Sequence, residues 1–261
     1  MLTVAEVARF LDAFAPPSLA ESWDNVGLLV GKHEQPVRRI MTCLTITPTS
    51  AKEAVASQAD LIVSHHPLPF RPLKRLTAET SEGRLLLELI GAKISVYSPH
   101  TAFDSAQQGI NQRLATGLQL EEIAPLLPGT ELGQGAGRYG RLQAAIPLSG
   151  LVAHVKQLLA INNIQAVGPL QRRVERVAVA CGSAGELLAA ANAAGCDCLV
   201  TGEMRFHACL EAESLGMGLV LAGHFASERF AVEALAGVLA EKFPSLQVWS
   251  SQQETDPLHW L

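Results

Sequence analysis

Short, uninterrupted apolar runs alternate along this chain with longer stretches in which apolar residues recur every three or four positions. Arg39-Ile-Met-Thr-Cys-Leu-Thr and Leu61-Ile-Val-Ser are β-branched and continuous, which predicts strands buried on both faces. Segments opening at Thr49, Thr80 and Ser183 predict helices, each starting near a hydroxyl that can cap the first free amides. Strand and helix in alternation predict largely parallel α/β sheets. Leu127-Pro-Gly-Thr-Glu-Leu-Gly-Gln-Gly-Ala-Gly-Arg-Tyr-Gly is the richest glycine stretch and the natural boundary between a first domain over 1–126 and a second over 127–261. C-terminal elements could still pack back on the first. A phosphate-cradling reading of this stretch would need a strand in front of it, whereas the strand pattern follows, at Arg141-Leu-Gln-Ala-Ala-Ile.

The two halves repeat a plan. Arg39-Ile-Met-Thr-Cys-Leu and Arg176-Val-Ala-Val-Ala-Cys lie 137 positions apart, as do Asp60-Leu-Ile-Val-Ser and Asp197-Cys-Leu-Val-Thr. With a one-residue gap, the run that opens at Gly91 and ends in His100-Thr-Ala-Phe-Asp104 matches the run that opens at Gly216 and ends in His224-Phe-Ala-Ser-Glu228. The expected fold class is α/β: two similar α/β domains related by an internal duplication and facing each other.

The polar residues that close these runs carry the candidate chemistry. His65 and His66 end one run, and side chains of neighbouring strand residues point to opposite faces, so both can serve one site only from just past the strand's end. Pro67 supports that break. His224 and Glu228 are four apart at the start of a helical pattern and share a face; His100 and Asp104 repeat the spacing. Neutral imidazoles with carboxylates suit first-row divalent ions, and the carboxyl ends of parallel strands are where open α/β sheets place their sites. We read a dinuclear metal site. If His65, His66, Asp104, His224 and Glu228 held two divalent ions, two carboxylates and a bridging hydroxide would leave a surplus of about +1, which favours an anionic substrate. Taken alone, His100 could orient a ligating group by hydrogen bonding. His33, His154 and His259 are read as structural, because none ends an apolar run beside another ligand type.

Composition narrows the partners. A formal charge of −5 with 17% charged residues argues against a basic nucleic-acid coat, and 5% aromatics disfavour a channel that threads single strands. Nucleic acid stays possible without being favoured. The start of the chain lacks a basic-then-apolar leader, and no stretch reaches about 18 apolar residues, so a cytoplasmic protein without membrane contact is expected. Five cysteines without paired spacing read as reduced, buried thiols.

With Ser22-Trp23-Asp24-Asn25-Val26-Gly27-Leu28, Ser64-His65-His66-Pro67, His100 to Asp104, Gly137-Arg138-Tyr139-Gly140, Thr201-Gly202-Glu203 and Gly223 to Glu228 in this order, the chain resembles the GTP cyclohydrolase type 2 homologue family, also called Nif-three-like proteins. The resemblance implies a dinuclear centre of His65, His66, Asp104, His224 and Glu228 in a cleft between two similar domains. It also implies a toroidal homohexamer with sites facing an inner cavity. The central insertion of longer members is absent.

The function these readings favour is a dinuclear metal-dependent hydrolase acting on a nucleotide or related anionic heterocycle through metal-bound hydroxide, with His100 and Glu203 as proton carriers. Zinc, iron, manganese and cobalt all fit the ligands. The alternatives are a ring-shaped metal- or nucleic-acid-binding protein without turnover, and a metal-storage or delivery protein. Arg71, Lys74 and Arg75 could meet phosphates or form a solvated loop.

Overall fold

The computed structural model describes residues 1–259. In chain order the elements are α1 (Val4–Phe14), β1 (Gly27–Val30), β2 (Arg39–Cys43), α2 (Pro48–Ala56), β3 (Leu61–Ser64), α3 (Ser81–Gly91), β4 (Ser95–Ser98), α4 (His100–Ser105) and α5 (Ile110–Gly117). There follow β5 (Glu121–Ala124), β6 (Leu127–Pro128), β7 (Gly135–Ala136), β8 (Arg138–Pro147), α6 (Leu148–Leu159), β9 (Gln165–Val167), β10 (Arg173–Ser183) and α7 (Leu188–Ala193). The chain closes with β11 (Cys198–Glu203), α8 (Phe206–Ser214), β12 (Gly218–Leu221), α9 (His224–Lys242) and β13 (Gln247–Ser250). None of the helices among the described residues is long and apolar enough to cross a membrane.

Two compact units emerge: residues 1–103 with 231–257, and residues 104–230 with Leu258 and His259. The boundary expected after residue 126 falls inside the second unit, where the glycine-rich stretch folds into the small β6–β7 hairpin. The stretch 231–257 joins the first unit because β13 pairs in parallel with β2.

The first unit is built on a five-stranded sheet in the order β1-β4-β3-β2-β13, parallel except for antiparallel β1. Every residue of β3 and β4 is buried, as continuous apolar runs require in a sheet covered on both faces. Met41, Ile62 and Val96 pack with Leu85, Leu86 and Leu89 of α3 in one apolar cluster. Thr47 and Thr80 accept from the amides of Ser50 and Gly83, starting α2 and α3.

The second unit holds a six-stranded sheet in the order β5-β8-β10-β11-β12-β9. Here the expectation of a largely parallel sheet needs correction. Only β10, β11 and β12 run parallel; β8, β5 and β9 join antiparallel, and β8 does so although α6 and β9 lie between it and β10 in the chain. Ser183 ends β10 and does not cap a helix; α7 starts only at Leu188, with no side-chain cap.

The parallel cores of the two sheets share their register. Ile40 pairs with Leu61 and Leu61 with Ser95; Val177 pairs with Cys198 and Cys198 with Gly218. Asp60 Oδ2 accepts from the amides of Arg38 and Arg39 at 2.7 and 3.0 Å. Asp197 Oδ2 does the same for Glu175 and Arg176 at 2.9 and 2.8 Å. Each aspartate thus fixes the start of the stretch that pairs with its own strand, from Ile40 in β2 and from Val177 in β10.

Arg138 is the largest fully buried side chain of the second unit. Its guanidinium donates to the carbonyls of Gly135, Gly137, Gly133, Ser105 and Ala106 and to Gln112 Oε1, and burial lowers it to about 10. It ties the β6–β7 hairpin to the chain just after Asp104. Replacing Arg138 by Met should leave several buried acceptors unmatched and destabilise the protein by roughly 3 kcal/mol or more, read from urea unfolding; a change under about 0.5 kcal/mol would show that the carbonyls find other donors.

Candidate metal centre

The parallel ladder of the first unit delivers the adjacent histidines. Beyond the last residue of β3, the amides of His65 and His66 still donate to the carbonyls of Cys43 and Leu44 at 3.0 and 2.8 Å. The rings sit 5.1 Å apart with planes tilted by 50°, so the pair converges as the end-of-strand argument requires. Ser98 Oγ donates to the carbonyl of His65 at 2.6 Å, and Thr45 Oγ1 meets His66 Nδ1 at 2.7 Å. His100, first residue of α4, closes the group: His65, His66 and His100 each offer a ring nitrogen within 4.8 Å of the others. These are chemically suitable donors for a first-row divalent ion.

His100 is held from behind. Its Nδ1 lies 2.7 Å from Asp24 Oδ1, and the Asp24 carboxylate is fully buried. Asp24 Oδ2 accepts from the Thr101 amide at 3.1 Å and from the Thr101 hydroxyl. Burial alone would raise the Asp24 carboxyl, but the bonds from His100 and Thr101 outweigh it and bring it down to about 2. Sequence reasoning quoted Asp24 in a motif without giving it a role; nothing in its spacing from residue 100 signals the contact.

In the second unit, His224 opens α9, and its Nε2 lies 3.2 Å from Glu228 Oε2, one turn on. Its Nδ1 meets Glu203 Oε1 at 3.1 Å. Gly182, at φ +61, allows the buried Glu228 to approach: a Cβ there would collide with Glu228 Oε1. The Gly182 amide donates to Ser227 Oγ at 2.9 Å, and Ser227 Oγ donates to the His224 carbonyl at 2.8 Å. Asp104 accepts at Oδ1 from the Cys181 thiol at 3.1 Å; burial first, and the Asp104 charge second, push that thiol up, so it stays protonated and donates. Asn111 links the two by donating to the Asp104 carbonyl and accepting from the Cys181 amide. Cys181 and Gly182 escaped sequence reading, since a thiol and a glycine at a strand end read as core and turn.

Other candidates stand apart from this chemistry. His33, His154 and His259 are exposed, as are Arg71, Lys74 and Arg75 on the loop before α3. A groove of about 1610 Å³ in the first unit is lined by Leu29, Leu86 and Ile90 beside Arg38, Asp60 and Lys93, at the opposite ends of β2, β3 and β4 from the histidines. Among the described residues no metal-donor cluster lies in it.

In the metal-free chain, the hydrogen bond to Glu228 raises His224 to about 9, with Glu203 adding to the effect against the opposing cost of burial. A raised imidazole stabilises the fold fully below its unfolded value near 6.5, and that contribution is lost as pH climbs through about 9. The melting temperature of metal-free protein should therefore fall across this window, and zinc uptake below pH 9 should release a proton, seen by calorimetry in buffers of different ionisation enthalpy. His224→Gln should remove both the slope and that proton.

Comparison with known proteins places these residues in a family. The model of Duf34/NIF3 (NGG1p interacting factor 3) matches residues 2–257. GTP cyclohydrolase 1 type 2 of Helicobacter pylori is 36% identical over 229 residues, covering 88% of each chain. NIF3-like protein 1 of Drosophila melanogaster is 34% identical over 262 residues, covering 98% of this chain and 88% of the other. A Staphylococcus aureus hypothetical protein of solved structure has a TM-score of 0.91 at 26% identity over 99% of both chains. A Bacillus cereus protein related to NIF3 gives 0.90 at 22% identity, over 100% of this chain and 99% of that one, a likeness of fold. Matched from residue 2 to residue 257, this chain belongs to the Duf34/NIF3 family.

Proposed function

We propose that this protein is a dinuclear metal-dependent hydrolase of a nucleotide or related anionic heterocycle, with His65, His66, Asp104, His224 and Glu228 as the ligands of two divalent ions. The observation that carries the reading is the pair of ready-made donor groups: three imidazoles converging at the carboxyl ends of β3 and β4, and a buried carboxylate one turn from an imidazole at the start of α9. The shared register and the matching aspartate staples support reading the two units as copies of one ancestral half, each supplying one donor group. Divalent ions in such a set would supply Lewis acidity and lower the pKa of water. Two carboxylates neutralise only part of the charge of two such ions, which attracts an anion.

The chain's own residues would shape the rest. Trp23 and Phe70 are 60% and 44% exposed, their rings 6.0 Å apart and each 6.1 Å from the His100 ring. Asn25 Nδ2 donates to the Pro69 carbonyl at 2.7 Å and pins the two loops together. These faces offer a planar heterocycle an apolar platform. The names borne by relatives such as the Helicobacter pylori protein point to GTP as one member of that class. Glu203, more than half exposed, can exchange protons with solvent and carry one to a leaving group. The ring assembly implied by the resemblance belongs to the same proposal, and light scattering at micromolar concentration should give a mass near six chains of 27.8 kDa.

Screening zinc-, manganese- and iron-loaded protein against nucleotides, pterin precursors and phosphoesters tests the chemistry. A His65→Ala, Glu228→Ala double variant should be slower by roughly 100-fold or more; equal rates would sink the hydrolase reading. Glu228→Gln alone should lose at least one of two ions by metal analysis, because a carboxylate there can bridge both, while each histidine nitrogen serves one.

A further inference from the structure

The proposed ligand set leaves His100 outside it, yet a ring nitrogen of His100 lies together with those of His65 and His66. We propose that His100 is a third imidazole donor beside His65 and His66, and that Asp24 is the positioning residue that presents it. The inference rests on the metal-binding reading and adds two residues to it.

Three independent observations carry the assignment. The ligand atoms of His65, His66 and His100 lie within 4.8 Å of one another, close enough for a single small cation to reach all three. Next, a fully buried carboxylate engages His100 Nδ1 at 2.7 Å. A carboxylate accepts, so the ring proton belongs on Nδ1 and the lone pair on Nε2. Metal-binding histidines are held in this way, the outer partner fixing tautomer and ring orientation. The grip of Asp24 extends to the amide and hydroxyl of Thr101, so the carboxylate is itself tied to the helix start that carries His100. The backbone agrees, since His100 sits at φ +26, a conformation that L-residues adopt rarely and that persists where surrounding contacts over-determine it.

The third observation is the second unit's own construction. His224 also opens a helix, also has a carboxylate, Glu203, on Nδ1, and also has an acid four residues on, Glu228. His100 repeats this with Asp24 on Nδ1 and Asp104 four residues on. What marks His224 as a donor therefore marks His100 equally. The clamp at His100 is the drier of the two, with the His100 side chain 12% exposed against 34% for His224.

The test uses the full chain, with zinc and cobalt(II) as probes. His100→Gln and Asp24→Asn should each weaken zinc binding by about 10–100-fold in competition with a chromophoric chelator, and His100→Gln should shift the visible absorption of the cobalt-loaded protein. Proton–nitrogen correlation spectra of the metal-free protein give a readout that a merely structural aspartate would not move: the His100 ring should carry its proton on Nδ1 in the wild type and show mixed tautomers in Asp24→Asn. Wild-type zinc affinity and an unchanged cobalt spectrum in His100→Gln would overturn the inference, leaving the metal reading intact if His65→Ala still loses zinc. A wild-type chain that binds neither ion overturns both. Weakening by His100→Gln without weakening by a folded Asp24→Asn would overturn the role given to Asp24. Should Asp24→Asn fail to fold, as judged by circular dichroism, His100→Gln and the wild-type tautomer decide the matter.

Discussion

A parallel ladder fixes where each of its strands stops, and the donor groups described here hang on that constraint. In the first unit the amides of His65 and His66 continue the bonding of β3 to the chain leaving β2, so two adjacent residues remain under backbone control while escaping the alternation of a regular strand. Were β3 one residue out of register, every buried side chain of that strand would change face. The cost of such a slip in a strand buried throughout is what locks the histidines in place. The aspartate at the foot of each central strand adds a local stop, since its carboxylate accepts the two amides that precede the paired stretch of the neighbouring strand.

This division between backbone and side-chain control explains what the sequence disclosed. Strands β2, β3, β10 and β11 were legible because full burial demands unbroken apolar runs, and the 137-residue spacing was legible because equal registers keep equal intervals. Helix α3 announced itself through its Thr80 cap, whereas α2 starts just before the expected Thr49 and is capped by Thr47. The antiparallel membership of β8 was not legible, because a strand's neighbours are set by the connection that precedes it and not by its composition. The placement of β13 on the edge beside β2 was hidden for the same reason.

At the site, residues that end apolar runs could be named in advance, while those that hold them could not. Thr45, Asp24, Cys181 and Gly182 act through contacts between segments far apart in sequence, and periodicity carries no information about such contacts. Trp23 and Phe70 were also missed as a pair. With so few aromatics in the chain the composition argued against stacking, yet two of them meet beside the histidines. A low average says little about a local concentration.

The edge strand β13 has a consequence for how the molecule is made. Its pairing joins Arg39 to Gln247, and Thr42 Oγ1 donates to the carbonyl of Val232, so the first unit's sheet is completed by residues that leave the ribosome only after residues 104–230 of the second unit. Until then β2 presents an unpaired edge, the kind of surface that invites association with other chains, and closing so long a loop slows folding. An architecture that reads as two halves therefore cannot mature one half at a time: synthesis of the second unit comes before the first is sealed.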